Sequence, residues 1–125
     1  MTNTSISYLI ASKDSFQSIK ECLSILISLV DDCDEILICD ASNDDLTKPY
    51  LHAMEKKYNC LKVFDGIGQG IYKDRLFLIS HANKEYIYFI DSDDLILKKI
   101  DKQIFEEKPD VIFVLCPKFF HVRLC

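Results

Sequence analysis

The chain has 125 residues, 20 acidic against 15 basic side chains, a formal charge of -5 at pH 7 and 49% hydrophobic residues. That length fits one domain, 1-125, with a core of its own, while the negative balance without a basic run argues against nucleic acid or anionic membrane as a non-specific partner. Six cysteines (Cys22, Cys33, Cys39, Cys60, Cys116, Cys125) without CxxC or zinc-like spacing read as reduced core thiols, and with no leader-like start or bilayer-length apolar run the expectation is a cytoplasmic protein.

In chain order, two periodicities alternate. Ile6 to Ile10 reads as a first strand, left by the turn Ala11-Ser12-Lys13-Asp14. Asp14 with Gln17 three residues later resembles a capping box, and Phe16, Ile19, Leu23, Leu26, Ile27 and Val30 follow at helical spacing. Glu35 to Cys39 is the second strand, ending at Asp40, and Asp40 to Asp45 is a loop. Pro49 suits the first turn of a second helix, with Thr47 as N-cap and Tyr50, Leu51, Met54 and Tyr58 on one face.

Leu61 to Phe64 forms a third strand, and the next six residues hold all three glycines, Gly66, Gly68 and Gly70. Their GxGxG spacing after a third strand is no dinucleotide fingerprint, and turn glycines are the simpler reading. A helix over 71–82 places Ile71, Arg75, Leu78, Ile79 and Ala82 on one side. Tyr86 to Ile90 is a fourth, buried strand. A helix is expected over 95–107, from Ile96, Ile100 and Ile104 at intervals of four, with Pro109 ending it. Val111 to Leu115 is a fifth strand, and 117–125 a tail of unassigned state. Strands alternating with helices predict an α/β fold with an open, largely parallel, doubly wound sheet.

Three strands end in acid: Asp40, Asp65, and the cluster Asp91, Asp93 and Asp94. Parallel strands bring their carboxyl ends to one edge, where open α/β sheets bind ligands. Carboxylates crowded within four residues repel, and a hard oxygen-ligated cation, Mg²⁺ or Mn²⁺, held together with substrate phosphates relieves that repulsion. The plain alternative is a solvated turn in which an Asp or Ser92 caps the next helix. Asp40 can likewise be an ordinary strand-end turn and Arg75 a surface ion-pair residue. His52, His81 and His121 share no spacing and read as non-catalytic.

These blocks together resemble the nucleotide-binding half of the family-2 glycosyltransferases with the A-type fold. Ser7 to Asp14 stands at the family's first strand and turn, and Glu35 to Asp40 at its second strand and terminal Asp. Gly70-Ile71-Tyr72, Arg75, Ile79, Ala82 and Glu85-Tyr86-Ile87 keep the family's register up to Asp91-Ser92-Asp93-Asp94, which looks like the DxD element.

The resemblance implies an inverting transfer from a nucleotide sugar, uridine-linked by analogy, to a saccharide or lipid-linked acceptor in polysaccharide or lipopolysaccharide synthesis, at the cytoplasmic face of a membrane. It implies Ser12 and Asp40 near the base, Arg75 and Asp91 as further donor contacts, and a cation (Mn²⁺ or Mg²⁺) on Asp93 with Asp91.

Departures accompany the match. The loop after Asp40 is one residue short and lacks its glycine, and Lys73, Leu76, Leu78 and Lys84 replace the family's usual residues. The family's acceptor site and catalytic base follow the metal strand, and only about thirty residues follow Asp94 here. The expectation is a domain with its acceptor side largely absent and no general base assigned. Two other classes compete: a nucleotide-binding remnant or partial subunit that transfers nothing, and a phosphohydrolase with a DxD nucleophile pair. The latter is disfavoured because its aspartates belong after an early strand.

Overall fold

The computed structural model describes residues 4–66, 68–96, 98–110, 113–116 and 121–124. Seven buried residues make β1 (Ile6–Ser12), and α1 (Phe16–Leu29) leads to β2 (Glu35–Asp40), also buried throughout. Near-continuous apolar strands suit a parallel sheet covered on both faces. Then come α2 (Thr47–Lys57), β3 (Leu61–Asp65), α3 (Ile71–His81) and β4 (Tyr86–Asp91). The four strands lie in the order β3-β2-β1-β4, all parallel. This is the expected open, doubly wound α/β sheet.

Strand alternation sorts the core into two layers. Ile6, Tyr8 and Ile10 of β1 and Ile36 and Ile38 of β2 meet Ile19, Leu23 and Leu26 of α1 and Leu51 of α2. Leu9, Leu37 and Cys39 point the other way, onto Leu78 of α3. Each fully buried Leu or Ile contributes about 1.5–3 kcal/mol, which is why α1 and α2 dock on one face and α3 on the other. Cys22 and Cys39 are buried and unpaired, as core thiols.

Several local expectations are corrected. Asp14 does not cap α1: it has φ 49°, and its carboxylate accepts the Asn43 N–H at 2.8 Å, leaving Ser15 at the N-cap with no side-chain bond to the helix's own N–H groups. Thr47 is the first residue of α2 and not its cap. Asp44 does that work, accepting the N–H groups of Leu46 and Thr47 at 2.9 and 2.7 Å, and these bonds hold its carboxyl below the usual range. In α3 the inward residues are Asp74 and Leu78, whereas Ile71 and Ile79 are 54% and 41% exposed.

The helix expected over 95–107 is absent from the described residues, which show only one 3-10 turn, Lys102–Phe105. Ile96 and Ile100 still reach the core and Phe105 is buried, but Ile104 is exposed. The segment is pinned by charge: Lys99 and Lys102 pair with Asp31, and Lys102 donates to Asp34 at 2.8 Å. Those anchors and the Asp101 cap on Gln103 fix a path that helical spacing did not reveal. Within the described residues the fifth expected strand is β5 (Phe113–Cys116). It pairs antiparallel with β6 (His121–Leu124) in a separate two-stranded sheet and does not extend the parallel one, so part of the expected tail is a strand. The strand's expected first residues, Val111 and Ile112, lie outside the described residues.

Candidate functional site at the carboxyl edge of the sheet

The chain steps from β1 to β2 to β3 in one direction, then crosses back to place β4 on the other flank of β1. Between β1 and β4 lies the topological switch point, where open sheets form their ligand crevice. The register brings Ala11 beside Asp91, Ser12 beside Asp40, and Asp40 beside Asp65. The acidic strand ends therefore share one edge.

At the β4 tip, Asp91, Asp93 and Asp94 each offer a carboxylate oxygen, all within 4.8 Å of one another. The turn is closed by the Asp94 N–H on the Asp91 carbonyl at 2.9 Å. A set of three hard oxygen donors suits Mn²⁺ or Mg²⁺, which take carboxylates together with phosphate and water. The Arg75 guanidinium donates to Asp91 Oδ1 at 2.6 Å. Two residues singled out from sequence thus meet as a pair, both half-exposed. The negative field reaches inward: Cys22 on α1 is pushed up to about 12, by burial first and then by Asp94 and Asp93. Ser15 Oγ lies 3.1 Å from Ser92 Oγ, tying the turn after β1 to the acidic turn.

On the other flank the loops after β1 and β2 are laced together. Ala41 N–H donates to the Ser12 carbonyl, Asp14 N–H to Ser42 Oγ, and Gly66 N–H to the Asp40 carbonyl. Ser12 is buried and its hydroxyl has no hydrogen-bond partner among the described residues. A buried hydroxyl is costly until a polar atom meets it. Asp40 is fully buried, with Oδ1 accepting from Ser42 Oγ at 2.7 Å and Oδ2 from Ser42 N–H at 3.2 Å. Gly66 is a close-approach glycine, since a Cβ there would stand 2.8 Å from Ala41 Cβ. Gly68 and Gly70, with φ of 74° and 97°, are turn glycines, and Gly70 opens α3.

Three contributors escaped the sequence reading. Lys48 ion-pairs with Asp40 and Asp65. Ser42 holds the Asp40 carboxylate. Asp74 is buried on α3 and hydrogen-bonds the Cys39 thiol, which burial and this neighbouring charge push up to about 12. Only Pro49 hinted that Lys48 would sit in a first helical turn facing the end of β2, and nothing in the pattern marked Asp74 as inward. Of the histidines, His52 lies 3.3 Å from Glu55 and 3.9 Å from Asp65 Oδ1, and His81 packs on Phe64 and Phe77.

Residues 7–120 match the sequence profile of the family described as "Glycosyl transferase family 2". No curated protein matches the chain in sequence. Among solved structures it is similar to S. aureus TarS, at TM-score 0.71 and 26% identity over 90% of this chain and 21% of that one. A second TarS structure, covering residues 1-349, gives TM-score 0.64 and 23% identity over 83% of this chain and 31% of that one. The mannosyltransferase PcManGT from Pyrobaculum calidifontis, in complex with GDP-Man and Mn²⁺, gives TM-score 0.68 and 16% identity over 75% of this chain and 29% of that one. The chain therefore spans less than a third of the length of these solved chains. Its fold is that of the A-type glycosyltransferases.

Proposed function

The chain belongs to glycosyl transferase family 2, and from that membership we propose that residues 1-125 form one nucleotide-sugar-binding unit whose donor site lies between β1 and β4. The observation that carries this reading is the position of Asp91, Asp93 and Asp94, convergent at the end of β4 and beside the switch point. Asp93 and Asp91 are the cation ligands. The Mn²⁺ bound with GDP-Man in PcManGT supports a divalent ion in this role. When bound, the ion neutralises charge on the leaving diphosphate.

The chain's own groups do the rest. Arg75 orients Asp91 through its 2.6 Å bond. Ser12, with its unsatisfied hydroxyl, and the Asp40 region receive the nucleoside. Uridine is our reading of the base, and a saccharide or lipid-linked saccharide our reading of the acceptor, in polysaccharide or lipopolysaccharide synthesis. The acceptor hydroxyl gives up its proton to a base, which is not assigned among these residues, and attacks the anomeric carbon as its bond to the diphosphate on the opposite face breaks, so the sugar is transferred with inversion. Our reading of its location is the cytoplasm, beside membrane machinery. No helix among the described residues is long and apolar enough to cross a membrane.

Calorimetry with UDP tests the binding claim. The expected result is affinity that requires Mn²⁺ and is lost in Asp93→Ala; UDP binding indifferent to both the ion and Asp93 would overturn it. Transfer is measured separately, as sugar moved from UDP-sugar to an oligosaccharide acceptor. Binding without turnover supports instead a nucleotide-binding subunit.

A further inference from the structure

Apolar exposure is concentrated on one helix. Among the described residues, four of the seven large hydrophobic side chains that stand exposed belong to α3: Ile71, Tyr72 at 70%, Leu76 at 44%, and Ile79. The helix's neighbours fix its orientation. Asp74 and Leu78 point inward, Phe77 and His81 pack on Phe64 of β3, and Arg75 reaches Asp91 of β4. Helical spacing then sets Ile71 and Ile79 on the flank toward β4, with Tyr72 and Leu76 on the outer face. β4 is the edge strand of the four-stranded sheet, and its Ile87 and Phe89 lie half-buried on the α3 side. The segment after β4 covers the opposite face, where Phe105 stacks on Tyr86 and Ile96 and Ile100 join the α1 layer. One apolar band thus runs from α3 onto β4.

We propose that this band is a self-association surface, covered in solution by a second copy of the chain that packs through α3, antiparallel, about a two-fold axis. The area is right for such a contact. The four α3 side chains expose on the order of 400–500 Å² per copy, a patch size that is commonly functional on a monomer. Two copies, with Ile87 and Phe89 added, approach the roughly 1,200 Å² at which specific interfaces begin. The pattern is also self-complementary. An axis passing between Leu76 and Ile79 sets Leu76 of one copy on Ile79 of the other, and Tyr72 against Asn83 of the partner copy. Charge favours the same arrangement. Lys73 is exposed at the start of α3 and Glu85 just beyond its end, while Lys84 turns into the amino-edge cleft beside Asp32 and Glu35. Antiparallel packing therefore brings Lys73 toward Glu85 of the partner copy at both ends and opposes the two helix dipoles. A lipid surface fits less well, because the band lacks the basic rim that an anionic membrane attracts.

Sedimentation equilibrium of the wild-type chain up to about 300 µM is the test, and the expected result is a reversible monomer–dimer equilibrium with Kd of roughly 1–100 µM, as suits an interface of this size. Leu76→Asp and Ile79→Lys each weaken association at least about tenfold, the effect of setting a charge into an apolar contact. Both side chains are exposed, so the urea midpoint, measured on dilute monomer, stays that of wild type. Lys73→Glu weakens association as well, and adding Glu85→Lys restores it. In NMR, the amide signals that move with concentration fall on residues 71–83 and 87–89. If Leu76→Asp does not fold, Ile79→Lys and the position of those moving signals decide. A wild-type chain that is monomeric throughout, growth beyond the dimer, a dimer undiminished by Ile79→Lys, or moving signals confined to other elements overturns the proposal. A double charge reversal no better than Lys73→Glu alone overturns the antiparallel arrangement. A monomer that instead binds phosphatidylcholine vesicles overturns it in favour of a lipid surface.

Discussion

Two acidic runs look alike on paper: Asp31-Asp32-Cys33-Asp34 before β2 and Asp91-Ser92-Asp93-Asp94 after β4. The first sits at the amino edge of the sheet and is woven into the fold. Asp34 is buried and accepts the N–H groups of Ile6 and Asp31, both at 2.9 Å, and Lys102 brings it an ammonium at 2.8 Å. Lys99 hydrogen-bonds Asp31, and this bond, with a second from Lys102, holds the Asp31 carboxyl below the usual range. Burial of Lys102 opposes its charge, yet its hydrogen bonds to Asp34 and Asp31 more than offset that and raise its pKa. The second run sits at the carboxyl edge, half-exposed, with three carboxylates convergent and Arg75 set against Asp91. What separates the two is topology: the same residues are a fastener where a strand begins and a candidate ligand shell where one ends.

The largest break in this comparison is expected from Lys102→Met. It leaves Asp34 charged, buried and without its cation, and should lower unfolding free energy in urea by about 3–5 kcal/mol. Asp93→Ala should do the opposite kind of damage. It relieves like-charge repulsion, so stability stays within about 0.5 kcal/mol, while the Mn²⁺-dependent part of UDP binding, about 1.4 kcal/mol or more for a tenfold effect, disappears in calorimetry. Gly66→Ala tests the packing beneath the carboxyl edge. A methyl group 2.8 Å from Ala41 Cβ should cost about 1–3 kcal/mol in thermal or urea unfolding.

The smallest effect is the exposed half of the fastener. Lys99→Ala should cost about 0.2–1 kcal/mol at pH 7. Because the folded Asp31 pKa is depressed, its contribution is present above the unfolded value of about 3.9 and is lost as pH falls through the folded value. The gap between wild type and Lys99→Ala in urea melts should therefore close with acidification, and a gap that widens toward acid would contradict the assignment.

The parallel scaffold was legible because strands buried on both faces carry apolar runs, such as Ile36 to Cys39 in β2, and their order is constrained by short crossovers. The carboxyl-edge cluster was legible for the same reason: once strands are parallel, acids at their ends must converge. Contacts between distant loops were not. Asp14 looks like a helix cap until Asn43 arrives from 29 residues away to claim its carboxylate. The 95–107 stretch has helical spacing, but its lysines answer to Asp31 and Asp34. Lys48 and Asp74 are polar residues facing inward, which periodicity assigns to the wrong side of a helix.

The central claim, that only the run after β4 is a cation site, is tested most directly by paramagnetic line broadening. Substoichiometric Mn²⁺ with UDP is added to the isotopically labelled chain and the amide signals are followed by NMR. Broadening centred on Ile90 to Asp94 and reaching Ser15 is the predicted result. Broadening centred on Asp31 to Asp34, or none localised at the end of β4, would contradict it.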